Sequence, residues 1–214
     1  MYIHIESLER SGSTFFAYAI SLATGIDVIS SPDHKLYPLQ VYDGVEPFII
    51  TLRDALPSIV SAKIYRDYFY NNKLSNSYDI ENTLLENIIA RYKEYTQYLI
   101  DNPKFFIAPF QEFTKDHNKV IDLIAYTYPV LENVRPVTYE EISERASSII
   151  KTIYEPEIGN LPREKYELKD EIEELILKDY SDDIDHIQSN INKLYNRYYA
   201  LELEYNKNTT GDRK

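Results

Sequence analysis

The residues best suited to chemistry stand together near the start of the chain, in the run Glu9-Arg10-Ser11-Gly12-Ser13-Thr14-Phe15, between two apolar segments. Small residues leave consecutive backbone NH groups uncovered. Where such a loop opens a helix, those groups and the positive end of the helix dipole form a cradle for an anion. Against the nucleotide-hydrolase pattern G-x-x-x-x-G-K-[ST], the segment Ser7 to Thr14 has serine for the first glycine and Ser13 for the lysine that reaches the terminal phosphates, which disfavours ATP or GTP hydrolysis. A plain small-residue turn between strand and helix accounts for the same glycine and serines with no ligand at all.

A second constellation follows the apolar run Phe48 to Leu52, which delivers Arg53 and then Asp54-Ala55-Leu56-Pro57-Ser58-Ile59-Val60-Ser61. An arginine at the carboxyl end of a strand and a serine two turns into the next helix can face one crevice at the sheet edge and share an anion. Either residue alone reads equally well as a surface ion pair or a polar helix position. A third segment runs from Phe105-Phe106-Ile107 to Phe110-Gln111-Glu112-Phe113-Thr114-Lys115-Asp116.

In this order, over about residues 1 to 128, the three segments resemble the sulfotransferases that use 3'-phosphoadenylyl sulfate. Glu9 to Phe15 is similar to their 5'-phosphosulfate loop, P-K-S-G-T-T-W, with Glu9 for proline, Arg10 for lysine and Phe15 for tryptophan. Arg53 and Ser61, eight apart, match their 3'-phosphate segment R-[ND]-P-x-[DE]-x-x-x-S, and Phe110 to Asp116 resembles YEDL-x-x-D with Phe110 for tyrosine. The resemblance implies a P-loop-type, three-layer α/β/α fold around a central, mostly parallel sheet. It implies that Arg10 pairs with the bridging and sulfuryl oxygens, that Ser11, Gly12, Ser13, Thr14 and Phe15 complete the 5' side, and that Arg53 and Ser61 hold the 3'-phosphate.

The family places a general base after its second core strand, and Ser31-Pro32-Asp33-His34-Lys35-Leu36 fits the histidine version, nineteen residues before Arg53. A neutral His34 imidazole could take the proton of an acceptor hydroxyl. An exposed loop histidine is the competing reading, and Asp33 is the substitute. Sulfuryl transfer, like phosphoryl transfer, passes through a loose transition state in which positioning and charge stabilisation dominate, so cationic side chains can serve without a metal. The implied donor is 3'-phosphoadenylyl sulfate (PAPS), the product 3',5'-adenosine bisphosphate (PAP), and the acceptor a hydroxyl or amine of a small molecule, carbohydrate or protein. The family's basic R-K-G loop has only Gly159 to Lys165 and Gly211 to Lys214 as analogues, and neither matches it. A catalytically idle member of the same fold, used as a structural or assembly component, is the alternative. A P-loop nucleotide kinase is a third reading, and Ser13 in the lysine position argues against it.

The elements that must position these residues are legible as alternating strand and helix. Strands are expected at Tyr2 to Ile5, Ile26 to Ile29, Phe48 to Leu52 and Lys104 to Ala108, and such short apolar runs indicate a parallel sheet covered on both faces. Helices are expected from Phe15 to Ala23, closed by Gly25; after Asp54 as N-cap; along the Leu84, Leu85, Ile88, Ile89, Tyr92, Tyr95, Leu99 stripe; and from Asn118 to Tyr128. Residues 1–138 form the α/β core, 139–205 a helical C-terminal region that completes or extends it, and 206–214 a flexible tail. From Tyr139 to Asp185 there are 15 acidic and 6 basic residues, with Pro156, Gly159 and Pro162 splitting the helical pattern. In the last stretch Ile184, Ile187, Ile191, Leu194, Tyr198 and Leu201 form a regular stripe, suited to packing on the domain or, through a partner helix, to an oligomer. Its barely three heptads favour the domain.

A net charge of -12 argues against sequence-independent binding to nucleic acid, while leaving room for a small anion in one local pocket. With no cysteine there is no disulfide, thiol nucleophile or Cys-type zinc site, and His4, His34, His117 and His186 form no close pair with metal-ligand spacing. No stretch has the length of an apolar span, and Glu6 and Glu9 stand where a secretory leader would be basic and apolar, so a cytoplasmic protein without membrane contact is expected. The usage of Tyr, Ile, Asn and Lys, with one Met and no Trp, looks like the coding bias of an AT-rich genome such as a phage's, which would make that cytoplasm the host cell's.

Overall fold

The computed structural model describes residues 1–8, 12–30, 36–73, 84–131, 133–145 and 169–211. Four strands, β1 (Ile3–Ser7), β2 (Val28–Ser30), β3 (Phe48–Leu52) and β4 (Phe106–Pro109), form one sheet in the order β2-β1-β3-β4. Every pairing is parallel, with Ile5 opposite Ile49 and Ile49 opposite Phe106. All five residues of β3 and all four of β4 are buried, which is why both read as uninterrupted apolar runs. Edge strand β2 is largely exposed.

Helices cover both faces. On one, α1 (Ser13–Thr24) and α6 (His117–Thr127) pack on Ile3, Ile5, Ile49, Phe106 and Ala108 through Phe16, Ile20, Val120 and Ile124. On the other, α3 (Ala55–Lys73) and α4 (Leu85–Asp101) cover Phe48, Ile50, Leu52 and Ile107 through Ile59, Ile88, Tyr92 and Leu99. Between them lie the short helices α2 (Tyr37–Gln40) and α5 (Phe110–Lys115), and residues 139–145 are helical. Gly25 closes α1 at φ 69°, where its NH bonds to the Ser21 carbonyl, the conformation that only glycine adopts without penalty.

The last helix, α7 (Lys169–Gly211), bends at Tyr180, whose φ and ψ of -137° and 22° leave the helical region. Its first part buries Ile176, Ile184, Ile187, Ile191 and Leu194 in the core shared with α3 and α4, and Tyr198, with Leu201 and Tyr205, packs in the core of α1 and α6. The helix therefore passes beside β4, and the stripe is spent on the domain. At the crossing, the half-buried Arg197 guanidinium donates to the carbonyls of Leu99 (3.1 Å), Pro103 (2.5 Å) and Phe105 (2.9 Å), tying the end of α4 to the entry of β4. The split expected at Pro156, Gly159 and Pro162 lies outside the described residues.

Two boundaries differ from the expected ones for a physical reason. β1 continues through Glu6 and Ser7, polar residues that pair with Ile50 and Thr51 and are 4% and 1% exposed. Phe110 to Lys115, marked in the sequence only by its likeness to YEDL-x-x-D, closes into helix, with the Thr114 hydroxyl bonded back to the Phe110 carbonyl at 2.7 Å. Among the described residues no helix is long and apolar enough to cross a membrane.

Candidate functional site

Because all four strands run the same way, the loop after β1, the exit of β3 and the exit of β4 emerge at one edge of the sheet. From β1 the chain moves outward to β2, then crosses back to place β3 on the other side of β1. The order of winding thus reverses between β1 and β3, and at such a point the connections part and leave a crevice beyond the carboxyl ends of the strands. The Gly12 loop follows one of these strands and Arg53 the other.

Gly12 is the N-cap of α1, at φ 74° and ψ 18°, and its carbonyl accepts the Phe16 NH at 3.1 Å. Gly12 has no side chain with which to cap this helix end, and no acidic residue lies in its first turn. The NH groups that open a helix have no partner within it and carry its positive end. A Cβ on Gly12 would lie 2.8 Å from Phe110 Cε2 and 3.1 Å from Phe113 Cζ, so glycine is required by both the dihedral and the space.

The same Phe110 ring carries Arg53, whose guanidinium carbon stands 5.0 Å from the ring centroid. One phenyl ring thus touches the backbone of the loop after β1 and the cation at the end of β3. Phe113 backs it at 5.4 Å between centroids and itself stacks on Phe16 at 4.6 Å, which joins the platform to the core. Arg53 is half-buried, and no carboxylate among the described residues lies within ion-pair distance of it. A helix end whose N-cap is a glycine and a cation on a rigid ring suit an anion with two separated negative groups.

Asp54, beside that cation, is engaged elsewhere. Gln188 of α7 donates through Nε2 to the Asp54 carboxylate (3.3 Å) and accepts the Ala55 NH at the start of α3 (2.9 Å). The Tyr195 hydroxyl donates to the Leu52 carbonyl at 3.3 Å. Burial above all, then the charge of Asp54, pushes this phenol far above its ordinary pKa, so it stays protonated and remains a donor. Tyr199, one turn on, donates to Glu112 at 3.0 Å. Gln188, Tyr195 and Tyr199 lie seven and four residues apart, on one side of α7, and reach the exits of both β3 and β4.

Of the residues proposed from sequence, the structure brings Gly12 to Arg53 through Phe110. Ser13 and Thr14 open α1, half-buried and exposed. Phe15 stands beside them against His117 (6.2 Å, edge on) and Tyr139 (5.6 Å), and His117 Nε2 is 2.8 Å from the Val137 carbonyl, which makes it the protonated nitrogen. Ser61 is half-buried two turns into α3, on the helix that Arg53 precedes. Arg10, Ser11, His34 and Asp33 lie outside the described residues, as do Gly159 to Lys165. The pattern missed the bridging role of Phe110, which appeared only as a replaced tyrosine, and it missed Gln188 and Tyr195 entirely. Nothing local marks these two, since their partners lie more than 130 positions away. Among the described residues no three His, Cys, Asp or Glu side chains are grouped as a metal ion would need.

The chain is an α/β protein with an all-parallel four-stranded sheet flanked by helices. In comparison with known proteins, no family model, curated protein or solved structure matches it.

Proposed function

We propose that the chain is a small sulfotransferase of P-loop type that moves the sulfuryl group of 3'-phosphoadenylyl sulfate to a hydroxyl or amine. The observation that carries this reading is the meeting of the Gly12 loop and Arg53 on the Phe110 ring at the reversal between β1 and β3. A donor with phosphates on both the 5' and 3' sides needs two cationic or NH-lined positions separated by a nucleoside, and the helix end and Arg53 supply a pair at one edge. The close fit of Phe110 against Gly12 supports the same reading, since the space that a Cβ would fill is held closed beneath the NH groups.

In this reading the first-turn NH groups of α1, with Ser11, Ser13 and Thr14, hold the 5'-phosphate. Arg10 pairs with the sulfuryl oxygens, and Arg53 with Ser61 takes the 3'-phosphate. Phe15 completes the 5' side. The acceptor oxygen or nitrogen forms a bond to sulfur as the bond from sulfur to the bridging phosphate oxygen breaks. The departing nucleotide keeps that electron pair, and His34 takes the acceptor's proton. The spread charge on the equatorial oxygens falls to Arg10.

Calorimetric titration with 3',5'-adenosine bisphosphate beside ATP, without metal, tests the proposal. The bisphosphate should bind preferentially, and Arg53→Ala should weaken it by about 1.5–3 kcal/mol, the worth of hydrogen bonds to a charged group. Equal affinity for both nucleotides, or a bisphosphate affinity unmoved by Arg53→Ala, would refute it. Turnover of the sulfuryl donor, lost in His34→Ala with bisphosphate affinity retained, would then establish the transfer step.

A further inference from the structure

Adjacent residues at the end of a strand point to opposite sides, and here the opposite side of the β3 exit belongs to α7. Arg53 lies over Phe110 while the carboxylate of Asp54 meets Gln188 Nε2 at 3.3 Å. Gln188 is fixed in turn by accepting the Ala55 NH at 2.9 Å and by donating to Asn192 at 2.9 Å. Tyr195, 5% exposed, anchors the same corner through the Leu52 carbonyl. Burial first, and then the charge of Asp54 close by, raise the pKa of the Tyr195 phenol. An unrestrained carboxylate one residue from a cation would fold onto it and cancel much of its field, because two unit charges about 4 Å apart near a protein surface interact strongly.

We propose that Gln188 and Tyr195 of α7 are positioning residues of the anion site, holding Asp54 away from Arg53 so that the Arg53 guanidinium stays available to a phosphate. This inference rests on the reading of Arg53 as the 3'-phosphate contact. It gives the C-terminal helix a part in nucleotide selection: without the α7 contacts, the site would discriminate poorly between nucleotides with and without a 3'-phosphate. The part of the effect that separates the two nucleotides travels through Asp54, so removing that charge should undo the loss of selectivity.

The test uses the full chain, with 3',5'-adenosine bisphosphate and adenosine 5'-monophosphate as probes, in Gln188→Ala/Tyr195→Phe, in Asp54→Asn, and in the triple variant. The ratio of the two affinities should fall about five- to tenfold in the double variant, with the monophosphate affinity unchanged, and return to within about twofold of the starting ratio when Asp54→Asn is added. A helix that merely supports the fold would lower both affinities alike, with no rescue by Asp54→Asn, and that result overturns the proposal. A second readout needs no nucleotide. The Arg53 side-chain NH resonance, shifted by the Phe110 ring current, should move in the double variant and return in the triple one. If the unaltered protein binds neither probe, the nucleotide reading falls, and an Arg53 resonance indifferent to the α7 substitutions would overturn the positioning role on its own.

Discussion

Gly12→Ala is the substitution whose cost the structure sets most directly. At φ 74° an L residue carries a penalty of about 1–2 kcal/mol relative to glycine. The new methyl would meet Phe110 Cε2 at 2.8 Å, Cδ2 at 3.0 Å and Phe113 Cζ at 3.1 Å. Neither ring can simply step aside: Phe110 has Arg53 over its face and Phe113 behind it, and Phe113 is 0% exposed and stacked on Phe16. Forcing a methyl into such packing costs about 1–3 kcal/mol. Gly12→Ala should therefore destabilise the chain by about 2–5 kcal/mol, lowering the thermal midpoint by roughly 10 °C for a chain of this size. Urea unfolding followed by circular dichroism measures this cost, and Phe110→Ala separates its two parts. Against an alanine at 110 the clash with Phe110 disappears, leaving the dihedral term of about 1–2 kcal/mol and the tight contact with Phe113, so the two substitutions should couple by about 1–2 kcal/mol. A Gly12→Ala cost below about 1 kcal/mol, with no coupling to Phe110→Ala, would refute the left-handed loop and its contact with the ring, and with them the geometry on which the anion site depends.

Other consequences can be checked on the same unfolding assay. Arg197→Ala strips the donor from three carbonyls, and should cost about 3 kcal/mol; Arg197→Lys should recover less than half, because an ammonium lacks the planar fork that reaches several acceptors at once. Tyr95 is 0% exposed with a hydroxyl that has no hydrogen-bond partner among the described residues, so Tyr95→Phe should leave stability unchanged or raise it by about 1 kcal/mol, and a loss would show that the hydroxyl is bonded. The Tyr42 phenol, which donates to the Glu46 carbonyl, has its pKa pushed up to about 12 by burial first and then by Tyr128, Asp43 and Glu46. Unfolded tyrosine ionises near 10, so the contribution is complete below about pH 10 and is lost as pH rises from there towards 12. The urea midpoint should fall between about pH 10 and pH 12, by less in Tyr42→Phe, and an equal fall in both would assign the effect to other phenols.

Several elements were determined by the sequence alone. Phe48 to Leu52 appears as a strand at the observed bounds, and the Leu84 to Leu99 stripe becomes α4, with Leu85, Ile88, Ile89, Tyr92, Tyr95 and Leu99 buried as its spacing requires. Gly25 ends α1 and Gly12 opens it, since each supplies a backbone conformation that other residues resist. The stripe from Ile184 to Tyr198 was legible too, because burial along a helix repeats every three to four residues wherever its partner lies.

What the stripe packs against was not legible. Nor was the extension of β1 through Glu6 and Ser7, whose polarity hides their place in the parallel ladder with β3. Only the tertiary structure decided that one Phe110 ring would meet both Gly12 and Arg53, or that Gln188 and Tyr195 would hold the corner after β3. The physical reason is that periodicity and turn chemistry record each residue's local backbone and its share of burial. Which distant loops share a sheet edge depends instead on strand order, and strand order is settled by the packing of all the helices together.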